Sequence, residues 1–296
     1  MNQPSTARFA IITITIVAAA LFASGCTDKP EWSVTDDGFL EYGKPAPDYH
    51  SVALEESENY TLYEVTFESR GADIKGLIRI PKMDRAVPGI VLLPGATVTK
   101  EAEQGLARYL YDLGYASIAI DQRNLGGIDM EADLRMFLSG VEPVEHKMVY
   151  DTISAAAVLR AHPEIDSERI AYLGESNGGR FAIIACALDS GARGVVAIST
   201  CGYGIDAVVA SGRITDPDAI RFYRSVDPDT YLNEIGPRKF VMIHSLNDPI
   251  IPYESAQQTY MKIGGRKSLH TIDEARHGYN SGMNPFLEAE LGEIFI

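Results

Sequence analysis

Short apolar runs alternate with helix-like runs along most of the chain, and this alternation restricts the fold more than any other feature. From Tyr60 onward, runs short enough for buried strands are separated by longer stretches with helical signals. Such alternation is typical of a mostly parallel sheet with helices on both faces. The strand-like runs are 89–93, 116–120, 170–173, 195–199, 240–244 and 269–272. The sequence therefore predicts an α/β fold around a central, mostly parallel sheet.

Turn and helix signals between these runs complete the predicted layout. Residues 60–68 and 74–80 flank a polar segment and predict an antiparallel hairpin at the sheet edge. A glycine or proline follows each of the clearest helical runs, which are 101–113, 144–161 and 254–263. The segment of about 201–238 breaks the alternation, and we predict a small cap there, because open α/β sheets bind ligands beyond the C-terminal ends of strands. An ordinary surface excursion of two helices is the alternative.

The N-terminus has the sequence pattern of an export signal. Arg8 precedes an apolar run over 9–23, which is shorter than a membrane-spanning helix requires. The small residues Ala23, Ser24 and Gly25 then precede Cys26, which resembles the lipobox of prokaryotic lipoproteins. Residues 1–26 therefore predict a lipoprotein-type signal with lipid attachment at Cys26. Ala23 holds the place where a lipobox usually has leucine, so an uncleaved N-terminal anchor is the alternative. In both cases we expect an exported protein anchored to the outer face of the cell membrane.

Two further segments follow the signal. Residues 27–58 are rich in Asp, Glu, Pro and Ser with little periodicity, so we predict a tether there. Residues 59–296 then suit one domain of this α/β kind, with the cap inserted at about 201–238. Cys186 and Cys201 are too few for a disulfide-built scaffold, although a bridge between them stays open.

The composition excludes some classes of partner. The formal net charge is −15 at pH 7, which argues against nucleic acid, because nucleic-acid binding needs clustered Lys and Arg. The histidines and cysteines show no close spacing of the zinc-ligand kind. We therefore expect no nucleic-acid partner, no metal and no cofactor.

A G-x-S-x-G motif stands between a strand-like and a helix-like run. In Gly174-Glu175-Ser176-Asn177-Gly178 the glycines leave room for a strained strand-to-helix turn, which exposes the serine at the sheet edge. Ser176 is therefore the predicted nucleophile. The N–H of Asn177, at the start of the helix, is the first predicted oxyanion donor. The second should come from the loop after 89–93, where Ala96 is preferred and Thr97 is the close alternative.

A base and an acid should follow the nucleophile in chain order. Of the six histidines, only His277 lies on a loop after the last strand; the others are His50 in the tether, His146 and His162 on a helix, and His244 and His270 in strand-like runs. Asp248 follows the strand-like run 240–244 and would orient the imidazole. Asp273 is too close in sequence to His277 to be preferred. Ser176, Asp248 and His277 are thus the predicted catalytic triad.

These motifs resemble the α/β-hydrolase superfamily over about residues 60–296. Segments 71–81, 121–123 and 174–179 are similar to dienelactone-hydrolase-like and prolyl-oligopeptidase-like catalytic domains. The resemblance implies an α/β-hydrolase fold and acyl transfer to water through an acyl-serine. A dienelactone hydrolase has cysteine where Ser176 stands, so its particular substrate is not implied. The chain also has no length for the propeller of an oligopeptidase.

The sequence therefore predicts a serine hydrolase that cleaves small carboxylic esters at the membrane-facing surface. The alternatives are a serine peptidase acting on short peptides and a non-catalytic surface binding protein. Arg123 follows a strand at the ligand-bearing edge, and we expect it to pin loops rather than to bind an acidic substrate. Glu175 is expected to pack or to form hydrogen bonds rather than to act as an acid catalyst.

Overall fold

A nine-stranded mixed sheet forms the centre of the protein in the computed structural model, which describes residues 31–45 and 48–296. The strand order is β11-β10-β9-β8-β6-β7-β5-β4-β3. These strands are β3 (Tyr49–Glu56), β4 (Tyr60–Ser69), β5 (Ala72–Pro81), β6 (Val87–Leu93), β7 (Ala116–Ile120), β8 (Ile165–Glu175), β9 (Ala192–Ile198), β10 (Lys239–Ser245) and β11 (Lys267–Ile272). Strands β6 to β11 are parallel, as predicted, and β3 to β5 are antiparallel.

Helices cover both faces of this sheet. They are α1 (Gln104–Asp112), α2 (Met130–Leu138), α3 (Val144–Ala161), α4 (Ser176–Leu188), α5 (Ile205–Ala210), α6 (Pro217–Val226), α7 (Pro228–Tyr231), α8 (Tyr253–Lys262) and α9 (Asn284–Ile294). Along β8, Ile170 and Tyr172 belong to the core cluster under α3 and α4, whereas Ala171 and Leu173 belong to the cluster under α1 and α9. Because both faces are buried, the strand is continuously apolar. The predicted α/β-hydrolase architecture is confirmed.

The tether prediction is wrong over residues 32–34, 40–42 and 49–56, which form strands. The two short strands β1 (Trp32–Val34) and β2 (Leu40–Tyr42) make a separate hairpin, whose Leu40 N–H donates to the hydroxyl of Tyr231 over 3.0 Å. Strand β3, which contains His50, pairs with β4 and so takes the edge position predicted for the β4–β5 hairpin. Its side chains are nearly all exposed. Backbone hydrogen bonds to β4 hold this strand in the sheet. Such bonds do not depend on side chains, so they leave no apolar periodicity in the sequence.

The predicted insertion at 201–238 is helical and contains α5, α6 and α7. Helix α6 packs against α2 and against β1. Phe222 and Tyr231 are buried there, whereas Tyr203 is 40% exposed. These contacts make the insertion part of the packed domain, and they agree with both the cap and the surface-excursion interpretations.

Two remaining predictions concern the cysteines and the N-terminal signal. Cys186 is buried in α4 and Cys201 is half-buried, and both are free thiols. The predicted signal, the predicted lipid attachment at Cys26, and residues 27–30 and 46–47 of the predicted tether lie outside the described residues. Of the helices that the structure does describe, none combines the length and apolar character needed to cross a membrane.

Candidate active site

Ser176 occupies the turn where β8 passes directly into α4. Its φ is +50°, a left-handed conformation that a non-glycine residue adopts only when its surroundings enforce it. A Cβ atom on Gly174 would lie 2.3 Å from the carbonyl oxygen of Gly178, and one on Gly178 would lie 2.3 Å from that of Leu93. Only glycine fits at either position, so the local sequence enforces the turn that presents the half-buried Ser176 at the sheet edge.

The structure brings Asp248 and His277 together, as the sequence predicted. His277 Nδ1 lies 2.9 Å from each carboxylate oxygen of Asp248, whose side chain is fully buried. Burial alone would raise the pKa of Asp248, but the N–H groups of Ile251 and Ile250, together with His277, hold it below its usual value. An ionised Asp248 accepts a hydrogen bond from the Nδ1–H of His277, which leaves the His277 Nε2 lone pair available to take up a proton.

The loop that carries His277 is attached beside the nucleophile. The N–H of Tyr279 donates to the carboxylate of Glu175 over 2.6 Å, and Glu175 immediately precedes Ser176. This contact agrees with the predicted hydrogen-bonding role of Glu175. Within residues 31–45 and 48–296, no hydrogen bond joins Ser176 Oγ to His277, which is common for catalytic pairs before substrate binds.

Two backbone N–H groups beside Ser176 are free to bind an oxyanion. Asn177 lies in the first turn of α4, where N–H groups have no partner within the helix. The loop after β6 comes close to the nucleophile, since a Cβ on Gly95 would lie 3.5 Å from that of Ser176. The Thr97 N–H already donates to Leu125 O over 2.6 Å, whereas in the described chain Ala96 N–H has no partner. The geometry thus favours Ala96 over Thr97.

A short turn contacts both the loop of Ala96 and the side chain of Asn177. This post-β7 turn (Arg123–Gly126) has positive φ at three consecutive residues, which shapes it into a tight projection. Its Gly126 carbonyl accepts from the Asn177 side chain over 2.9 Å. Gln122, which precedes it, donates to the Pro94 carbonyl over 2.9 Å. The turn therefore holds both oxyanion segments through side-chain and backbone contacts.

Arg123 pins this turn, as the sequence predicted. Its guanidinium donates to the buried carboxylate of Asp151 over 2.7 and 2.9 Å and to the Ser69 carbonyl over 2.6 Å. Burial raises the pKa of Asp151, while Arg123 and Ser69 act to lower it. The guanidinium therefore already donates to acceptors within the protein, which favours the structural role over substrate binding.

Sequence reasoning missed several residues around the site. Arg180, one helical turn after Ser176, is buried and contacts the Asn177 side chain. Glu103, at the start of α1, lies against Glu175. Gln122 belongs to the Asp-Gln-Arg segment that the resemblance singled out. Nothing local marks Glu103, because its partner Glu175 is far away in the sequence. Arg180 is three residues from its partner Asn177, but it belongs to no motif that the sequence analysis used.

The site contains no obvious metal centre. Among the residues that the structure describes, no group of three His, Cys, Asp or Glu side chains is arranged to hold an ion.

The fold and this site define a serine hydrolase of the α/β-hydrolase class, and the comparisons with known proteins identify its family. The chain belongs to the acetyl xylan esterase (AXE1) family, whose model matches residues 44–234. The match includes Ser176 and both oxyanion segments, and it ends before Asp248 and His277.

Several individual proteins are similar to this chain. The uncharacterized protein YfhR of Escherichia coli O157:H7 is 24% identical over 200 residues, which are 66% of this chain and 64% of YfhR, so the chain spans less than two thirds of that relative. An acetyl xylan esterase from Paenibacillus sp. R4 matches with a TM-score of 0.69 and 19% identity over 84% of this chain and 88% of that one. A glucuronoyl esterase from Solibacter usitatus matches with a TM-score of 0.62 and 14% identity over 90% and 89%. At these identities the two structures show a shared fold.

Proposed function

We propose that this protein hydrolyses carboxylic esters with short acyl groups, acetyl esters foremost, through an acyl-Ser176 intermediate. The observation that carries the proposal is the Asp248–His277 pair, held at 2.9 Å beside a strained serine turn. Membership of the acetyl xylan esterase family supports the choice of a small acyl group.

The proposed reaction has two acyl-transfer steps. Ser176 Oγ attacks the ester carbonyl while His277 Nε2 takes its proton, and Asp248 stabilises the resulting imidazolium. The N–H groups of Ala96 and Asn177 bind the oxyanion. His277 then donates its proton to the leaving alcohol. A water molecule, activated by the same imidazole, releases the carboxylic acid and restores the serine.

Ester substrates fit this site better than amides. An alkoxide leaves without the well-placed protonation that an amine requires, so a triad and two oxyanion donors suffice for esters. The family assignment points in the same direction. A peptidase acting on short peptides is the alternative outcome of the tests below.

The nucleophile is tested by labelling with a fluorophosphonate. Wild-type protein should be labelled at Ser176, and Ser176→Ala should lose both labelling and ester turnover, because removing a triad member costs several orders of magnitude. Ser139→Ala is the matched control, since Ser139 is exposed at the end of α2, and it should react like the wild type. Near-normal turnover by Ser176→Ala would exclude the mechanism.

Specificity is tested by comparing kcat/KM for acetyl to octanoyl aryl esters with kcat/KM for aminoacyl and dipeptidyl anilides. We expect the acetyl ester to be cleaved fastest and the anilides far more slowly. Higher values for the anilides would replace the esterase assignment with the peptidase.

We also propose that the enzyme is exported and held at the outer face of the membrane by a lipid on Cys26. The support comes from the sequence, in which small residues and Cys26 follow a short apolar run. Mass spectrometry of the membrane fraction should find a mature chain beginning with lipid-modified Cys26, and Cys26→Ser should alter processing or release the protein. Cys201→Ser is the matched control and should be processed normally. An unmodified chain that begins upstream of Cys26 would refute the lipid attachment.

A further inference from the structure

The buried carboxyl group of Glu103 meets the half-buried Glu175, the residue that precedes Ser176. Glu103 precedes α1 and is 5% exposed, and its side chain does not cap its own helix. Instead its carboxyl group lies within hydrogen-bonding reach of the carboxyl group of Glu175. Two carboxylates cannot form a hydrogen bond when both are ionised, because neither then has a proton to donate. The contact therefore requires one shared proton.

The same pair holds the loop that carries His277. Glu175 Oε2 accepts the Tyr279 N–H over 2.6 Å. A Cβ on Gly278 would lie 2.7 Å from that oxygen, and Gly278 has φ +81°. Only glycine allows this loop to approach so closely. Glu175 thus joins the serine turn on one side to the histidine loop on the other.

We propose that Glu103 and Glu175 are positioning residues whose shared proton fixes His277 relative to Ser176, and that loss of this proton at alkaline pH inactivates the enzyme. The proposal rests on the roles proposed above for Ser176 and His277. When both carboxyls are ionised, their repulsion acts on the residue next to the nucleophile and on the loop attached to it.

The surroundings of the pair determine the pH range. The titratable groups that face Glu175 are Glu103, Arg276, His277 and the hydroxyl of Tyr279, and Tyr279 also contributes its N–H. Burial raises the pKa of Glu175, and these partners counter the effect in part. Burial, with the adjacent Glu175, raises the pKa of Glu103 to about 9. The proton is therefore retained at neutral pH and is lost at alkaline pH.

The test compares pH profiles of kcat/KM on the acetyl aryl ester, with the Ser176→Ala rate subtracted at each pH. Wild-type kcat/KM should fall above pH 9 by about tenfold per pH unit, as for a single essential ionisation. Glu103→Gln keeps a donor to Glu175 but cannot ionise, so it should retain neutral-pH activity within about threefold and lose this alkaline limb. Glu101→Gln, an exposed neighbour, is the control and should keep the limb.

Two results would overturn the proposal: wild-type kcat/KM that stays level to pH 10, or an alkaline limb that persists in Glu103→Gln. Infrared spectroscopy of the wild type gives a measurement that requires no variant. A protonated carboxyl band should remain at pH 8 and disappear by pH 10, and its absence at pH 8 would also overturn the proposal. This band does not depend on turnover, so failure of the pair is distinguishable from failure of the esterase mechanism.

Discussion

At the scale of single residues, the site depends on side chains that hold backbone donors in place. Asn177 contributes its N–H to the proposed oxyanion hole, while its side chain donates to Gly126 O and accepts from Arg180. The backbone donor and the side-chain anchor belong to the same residue, so mutation can separate them.

Asn177→Ala should lower kcat and leave KM nearly unchanged. The variant keeps the backbone N–H but frees it from the post-β7 turn, and small misplacement of a catalytic group costs up to roughly 100-fold. The measurement is steady-state kinetics on the acetyl ester, with folding checked by circular dichroism. Unchanged kcat would show that α4 alone positions the donor.

At the scale of elements, the post-β7 turn is held by a buried ion pair. Asp151 is 2% exposed and accepts two hydrogen bonds from Arg123 and one from the Ser69 hydroxyl. One charged pair thus joins α3, the tip of the β4–β5 hairpin and the turn that contacts Asn177.

Asp151→Asn should destabilise the protein by about 3 kcal/mol, since removing one partner of a buried pair leaves the other charge uncompensated. It should also lower kcat, because the turn loses its anchor. Urea unfolding and ester kinetics measure the two effects. Glu131→Gln, which removes an exposed pair with Arg135, is the control and should cost less than about 1 kcal/mol.

The N-terminal strands give a second prediction at this scale. A protein beginning at Glu31 should fold, whereas one beginning at Tyr60 lacks β3 and the β1–β2 hairpin. The latter exposes the edge of β4, and unpaired edges promote aggregation. Size-exclusion chromatography and thermal melts compare the two. A stable monomer beginning at Tyr60 would restore the tether interpretation.

At the scale of the whole molecule, the buried His146 joins parts of the chain that are distant in sequence. It lies in α3, packs against Trp32 of β1 and Phe222 of α6, and its Nε2 is 2.7 Å from the Ser225 hydroxyl. Burial lowers the pKa of His146 to about 3. The folded state therefore keeps this imidazole neutral under mildly acidic conditions.

The contribution of His146 to stability should be present above pH 6.5 and should be lost as the pH falls toward 3. The pKa of His146 is lower in the folded state, so the unfolded chain binds an extra proton as the pH falls. The free energy of unfolding therefore decreases by up to about 1.4 kcal/mol per pH unit. Urea unfolding between pH 7 and 4 should show a weaker pH dependence for His146→Leu than for the wild type. The exposed His50 is the control, and His50→Gln should match the wild type.

Local patterns in the sequence determined the six parallel strands, the serine turn, and the loops of Asp248 and His277. Each is encoded by residues that are neighbours in the sequence. Apolar runs predict the strands that are buried on both faces, and glycines predict the serine turn, where a side chain would collide. Only the tertiary structure decided that β3 joins the sheet edge, that the Leu125 carbonyl accepts a hydrogen bond from the Thr97 N–H, and that Glu103 meets Glu175. These contacts depend on backbone pairing and on burial between segments far apart in the chain, for which the sequence carries no periodic signal.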